Sequence, residues 1–184
     1  MAITINGSGI TSANIADGTI VNADVNDVAA SKLTGALPAI SGASLTNLPG
    51  GGKVLQVVSS IHSTDTSTSS TSFVTTGHSV TLTPSSTSSK VYITLQGGGG
   101  WVAAGSWLKQ TIYRGSTDIG NAQFFTAYSS SGDQNVSHSM AILDSPATES
   151  ATTYTIYFRT NTGTPQYRWS DKGNPVLTAM EIAG

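Results

Sequence analysis

Thr152-Thr153-Tyr154-Thr155-Ile156-Tyr157-Phe158-Arg159 is the stretch that decides the fold. Tyr154, Ile156 and Phe158 fall on one side of an extended chain and their neighbours are polar or amphipathic, and a period of two is the pleat of a half-buried strand. The same alternation recurs in Lys90–Gln96, where Val91, Ile93 and Leu95 share a face. Working outward, the pattern predicts further strands at Lys53–Ile61, Ser72–Thr75, Ser79–Thr83, Trp107–Arg114, Ala122–Thr126, Val136–Leu143 and Val176–Ile182, with the first stretch ending at Arg159. Nearly all are bounded by Gly, Pro, Ser, Asn or Asp, the residues that turn a chain. No stretch carries a helical stripe. Eight or nine short antiparallel strands over this length predict an all-β, two-sheet sandwich of jelly-roll type.

The first fifty residues are of another kind. Ile10, Ile15, Ile20 and Val25 recur every five positions, and no aromatic occurs before Lys53. Five is the period of neither an α-helix nor a simple strand. Ala13–Asp17, Gly18–Asn22 and Ala23–Asp27 resemble three units of a pentapeptide repeat, which gains stability by coiling in short rungs or by packing against identical copies. Beyond Val28 the spacing loosens through Leu33, Leu37, Ile40, Leu45 and Leu48, and Pro38 and Pro49 exclude a continuous helix. Pro49-Gly50-Gly51-Gly52 reads as a hinge. The expected organisation is therefore an extended attachment arm and shaft at 1–52 and a β-sandwich head at 53–184.

Composition narrows the function. Charged residues are only 10%, against about 25% in ordinary domains, and the formal net charge is −2. There is no basic field to attract nucleic acid or anionic lipid, so neither partner is expected. No segment approaches the ~20 apolar residues of a membrane span, and the N-terminus lacks the basic and apolar regions of a cleaved export signal. Cysteine is absent, which removes disulfides and thiolate metal sites. His62, His78 and His138 have no ligand spacing, so neither a metal nor another cofactor is expected; His138, alternating with Val136 and Met140, reads as a partly buried strand residue. Gly97–Gly100 lacks the Lys-Ser/Thr ending of a phosphate cradle and reads as a mobile loop or a close backbone approach. Asp133, Asp144 and Asp171 read as turn residues. No Gly-x-Ser-x-Gly elbow occurs and the few acids give no paired carboxylates in a groove, so no catalytic residue is assigned and the chain is expected not to be an enzyme.

The aromatics are the best functional handle. Trp101 and Trp107 flank a glycine-alanine loop, Tyr128 opens a serine-rich turn, and Tyr167-Arg168-Trp169 precedes another turn. Loop aromatics can stack on the CH-rich faces of sugars while polar neighbours bond the hydroxyls. Trp101, Tyr128, Tyr167 and Trp169 are the candidate receptor-binding platforms, with Arg168 as a hydrogen-bonding partner. Packing in a core or between subunits is the plain alternative for the tryptophans, and the preferred one for Trp107.

Gly35–Pro49 resembles a linker-shaft sequence of bacteriophage tail-fibre proteins, particularly those of marine and cyanobacterial phages. Met140–Arg159, Arg168-Trp169 and the closing Thr178–Ile182 are similar to the β head at the ends of such fibres. The resemblance implies a homotrimer located on the virion, docked to other tail, baseplate or capsid proteins through residues 1–52, whose heads bind a host surface glycan. Three-fold display would multiply weak sugar contacts through effective concentration. A capsid fibre or decoration protein and a polysaccharide depolymerase are the rival expectations.

Overall fold

The computed structural model describes residues 52–120, 125–168 and 172–184, all of them in one compact unit spanning Asn47–Gly184. The arm and shaft assigned to 1–52, apart from Gly52, lie outside the described residues, as does Trp169. All the elements described are strands: β1 (Val54–Ile61), β2 (Thr66–Ser67), β3 (Val74–Leu82), β4 (Lys90–Val102), β5 (Trp107–Arg114), β6 (Thr117–Asp118), β7 (Phe125–Tyr128), β8 (Gln134–Asp144), β9 (Thr152–Thr160), β10 (Gln166–Arg168) and β11 (Val176–Ile182). The all-β expectation is met.

The strands form two antiparallel sheets. One runs β1-β11-β4-β10-β2 with β8 on the other side of β4; the other runs β3-β9-β5-β6 with β7 also paired to β5. Leaving out the short β2, β6 and β10, the order is β1-β11-β4-β8 in one sheet and β3-β9-β5-β7 in the other. Among eight strands counted along the chain, that is 1-8-3-6 against 2-7-4-5, the jelly-roll order. Alternation sets the inner faces. Val91, Ile93, Leu95, Leu177 and Ala179 from the first sheet meet Leu108, Ile112, Tyr154, Ile156 and Phe158 from the second in one core, each at most 1% exposed.

Two glycine positions read as strand breaks are bulges inside continuous strands. β3 runs through Gly77 with a register shift between Thr75 and Ser79, Gly77 taking φ +78°. Two extra residues on β3, with Gly77 in left-handed conformation, bend the strand without ending it. In the same way Gly97–Gly100 is neither a loop nor an end of β4. It pairs with β8 across a shift between Gly97 and Gly99. The close backbone approach is real: a Cβ on Gly98 would stand 2.5 Å from Pro175 N, and one on Gly100 2.5 Å from the Gln166 carbonyl oxygen.

Asp144 is likewise not a turn residue. It ends β8, 9% exposed, takes Arg114 Nη1 at 2.7 Å, and accepts the Tyr154 hydroxyl at 2.8 Å. Arg114 and Tyr154 belong to the opposite sheet, so this trio ties the two layers together. Glu181, 1% exposed, closes another edge by accepting Ser85 N at 2.7 Å, Ser85 Oγ at 2.6 Å and Gln56 Nε2 at 2.6 Å.

Candidate functional site

The outer face of the five-stranded sheet carries the chain's densest exposed aromatic and cationic chemistry among the described residues. In β5, Leu108 and Gln110 point into the core, which turns Trp107 and Lys109 outward; in β9, Phe158 and Thr160 point inward and Tyr157 and Arg159 outward. Pairing then sets them side by side. Trp107 stands opposite Tyr128, and Lys109 opposite Arg159. Tyr128 is 58% exposed. Lys109 Nζ lies 4.6 Å from the Trp107 ring centre, and the Arg159 guanidinium 5.3 Å from the same ring and 4.9 Å from Phe73. The indole is thus half-buried beneath two cations, with its backbone held by Trp107 N–H donating to Asn161 Oδ1 at 2.9 Å. Farther along the face, Tyr113 and Tyr157 stack with centroids 4.0 Å apart. Such a surface offers flat rings for CH faces and donors for hydroxyls or anions.

The four sequence-predicted site residues that are described, Trp101, Tyr128, Tyr167 and Arg168, do not converge. Trp101 lies in β4 of the other sheet, half-buried, between Asn135 of β8 and Gln166 of β10. Arg168 Nη1 is bound to Asp65 Oδ1 and its Nε donates to Asn174 Oδ1 at 3.1 Å. Of these four, only Tyr128 stands on the aromatic-cationic face. Sequence alone does not reveal the Lys109–Arg159 pairing, because it depends on the register of strands fifty residues apart, and Trp107 reads there as packing.

Tyr167 requires correction. It is 0% exposed and cannot serve as a platform. Its surroundings gather all three histidines, whose separation along the chain had suggested no relation: ring centroids stand 4.8 Å from His138, 5.4 Å from His62 and 6.0 Å from His78. His78 Nε2 donates to the Ser60 carbonyl at 3.1 Å. Nδ1 of the neutral ring is then an acceptor, and takes the Tyr167 hydroxyl at 2.7 Å. His138 Nε2 donates to the Tyr167 carbonyl at 2.7 Å. Burial is the main cause that lowers both histidines to about 4, and burial followed by Arg168 lowers His62. Burial also raises the Tyr167 phenol, so this is a neutral structural cluster at pH 7. No group of three or more acidic, histidine or cysteine side chains placed to hold a metal occurs among the described residues.

The outer face of the six-stranded sheet differs. Register lines up Val57 of β1, Met180 of β11, Tyr92 of β4 and Leu143 of β8 in one row. Val57 is 57% exposed and Leu143 51%, and Ile61, opposite Val176 at the end of β1, reaches 66%. Three of the six exposed large apolar side chains of the described residues, Val57, Ile61 and Leu143, thus lie on this face.

No protein-family model matches the chain, and no curated protein does. Among solved structures, one of infectious bursal disease virus, Gt strain, is similar at a TM-score of 0.36 and 12% identity over 73% of this chain and 39% of that chain. One of the Gx strain is similar at 0.36 and 14% identity, over 70% and 37%. This chain thus spans well under half the length of those it resembles.

Proposed function

We propose that the chain is a virion fibre protein of the tail-fibre kind, in which residues 53–184 form a head that binds a host surface glycan without cleaving it. Residues 1–52 dock the fibre to other virion proteins and wind it into a homotrimer. The observation that carries the proposal is the Trp107–Tyr128 cross-strand pair on an exposed sheet face, bordered by Lys109 and Arg159. Aromatic rings at the surface of a rigid sheet cost little ordering entropy on binding, and polar groups around them supply orientation.

The apolar row through Val57, Met180, Tyr92 and Leu143 supports self-assembly, since burying it between copies removes it from water at roughly 25 cal/mol per Å². β1 begins two residues beyond Gly52, where the repetitive segment ends. A chain entering the head there brings the strand with the most exposed apolar side chains beside its partners. Three heads then present three glycan faces, and avidity makes weak single contacts sufficient.

Gold-labelled antibody raised against residues 53–184 and applied to intact particles tests the assignment. Label at the tips of fibres, together with blocked adsorption of those particles to cells, is the expected result. Particles free of label, or labelled with adsorption unimpaired, would overturn it.

A further inference from the structure

We propose that β2 and β10 form an acid-released flap, clasped onto the sandwich at neutral pH by the chain's three histidines and freed when those rings take up protons. Each histidine bonds this two-stranded ribbon and is itself anchored elsewhere. His62, whose backbone N–H donates to the Pro175 carbonyl at 3.1 Å, sets its Nε2 2.9 Å from Thr66 Oγ1 of β2. His78 of β3 takes the Tyr167 hydroxyl of β10, and His138 of β8 donates to the Tyr167 carbonyl. Three rings from separate parts of the chain thus hold one short ribbon.

Backbone pairing holds that ribbon lightly. β2 has two residues and β10 three. Gln166 opposite Trp101 is the single register partner of β10 in β4, whereas β11 has seven along the same strand. Elements with so few ladder bonds open ahead of the rest of a domain. What keeps this one closed is the side-chain bonding around Tyr167, together with Arg168 bound to Asp65 and Asn174.

Protons act on the clasps in one direction. Nδ1 of His78 accepts from Tyr167 only while the ring is neutral, because Nε2 donates to the Ser60 carbonyl. His138 keeps its donor bond when charged, but it is 1% exposed and His78 2%, and a charge held so far from water is relieved by opening. His62 stacks on His78 with ring centres 5.2 Å apart, so a proton on one opposes a proton on the other. The other described charged and titratable groups at this corner are Arg168 and Tyr167 of β10, Asp65 before β2, and Lys172 packed on Gly99 of β4; Asp171 lies outside the described residues. Ser60 of β1 and Phe158 of β9 do not titrate, and burial keeps the Tyr167 phenol neutral. The folded state holds His78 and His138 at about 4 against the ordinary 6.5, so each ring that reaches water on opening favours the open form by roughly tenfold at pH 5.5.

Amide hydrogen exchange of the full chain is followed by mass spectrometry at pH 7, 5.5 and 4.5, corrected for the intrinsic pH dependence of exchange, with β9 as the reference. Peptides covering 62–68 and 163–168 are expected to exchange ahead of β9 at every pH and to lose at least tenfold in protection between pH 7 and 5.5. Ribbon peptides as protected as β9 throughout would overturn the flap, since the ribbon would then open only with the whole head. Protection independent of pH would overturn the trigger. His78→Asn and His62→Gln supply amides that take up no proton, and each should reduce the pH response; an unchanged response in both would overturn the histidines as clasps. Should His78→Asn fail to fold, His62→Gln, at a half-buried position, decides alone. Asp65→Asn isolates the ion pair: an acid response retained in that variant supports the histidines, and one that disappears would assign the device to Arg168 and Asp65 instead.

Discussion

The Tyr167 hydroxyl donates to Nδ1 of His78 across 2.7 Å in the buried layer between the sheets. That bond joins β10 to β3, and the Tyr167 carbonyl receiving His138 Nε2 joins the same residue to β8. Tyr167→Phe leaves the His78 acceptor unsatisfied, at a cost of about 1–3 kcal/mol. Tyr167→Ala also opens a cavity, at about 3–5 kcal/mol. Chemical denaturation of both variants checks the order, with Tyr167→Ala the less stable; an alanine variant as stable as wild type would return Tyr167 to the list of surface platforms.

The same cluster makes the head acid-sensitive. The folded state holds His78 and His138 near 4, below the 6.5 of an ordinary histidine, so between these values the unfolded chain binds more protons. Stability is then complete above pH 6.5 and falls as the pH drops towards 4. Glu181 extends the decline. Burial pushes its pKa up, but hydrogen bonds from Ser85 and Gln56 outweigh burial and hold it at about 2, so its contribution is present above 4.5 and is lost as pH falls through 2. Urea midpoints measured at pH 7, 5.5 and 4.5 should decrease steadily. A flat profile down to pH 4.5 would show that the histidines are not buried as neutral rings.

Gly100→Ala tests the close approach of β4 to β10. The added methyl would stand 2.5 Å from the Gln166 carbonyl and 3.3 Å from that of Tyr167, backbone atoms that cannot rotate away. Overpacking of this kind costs about 1–3 kcal/mol. Gly105→Ala is the control, since a Cβ there meets nothing within 4 Å although φ is +75°; its smaller loss measures backbone conformation alone. Equal losses in the two variants would contradict the packing explanation.

Much of the head was legible because a buried face imposes period two. Trp107–Arg114 and Val176–Ile182 have the same ends in sequence pattern and structure. The misreadings share one cause: local signals say nothing of partners. Gly77 and Gly97–Gly100 look like breaks, yet a glycine in left-handed conformation lets a strand bulge and continue pairing. Tyr167 sits between Pro165 and the Lys172-Gly173 turn, and its burial comes from His62 and from His78, His138 and Phe158 of β3, β8 and β9, most of them far away in the chain. The short β2, β6 and β10 are too brief for periodicity to register. For the site, Tyr128 was identifiable as an aromatic beside a turn, whereas the Lys109–Arg159 meeting exists only once β5 and β9 are in register.

Self-association through the apolar row gives a further expectation. Light scattering of the full chain should report three copies, and Val57→Asp, placing a charge at the β1 end of the row, should shift the population to smaller species while the sandwich remains folded. Val57 is more than half exposed within one head, so the substitution costs a lone head little. A wild-type monomer at micromolar concentration would contradict the fibre architecture.

Glycan binding by Tyr128→Ser compared with wild type, on an array holding neutral and acidic surface saccharides, tests the central claim most directly. Tyr128 is 58% exposed, so its removal leaves the core intact and melting temperature should hold within a few degrees. The account predicts saccharide binding by wild type and at least a tenfold loss in the variant. Wild-type binding retained in full by a folded Tyr128→Ser chain would contradict it, moving the receptor site off the outer face of the five-stranded sheet.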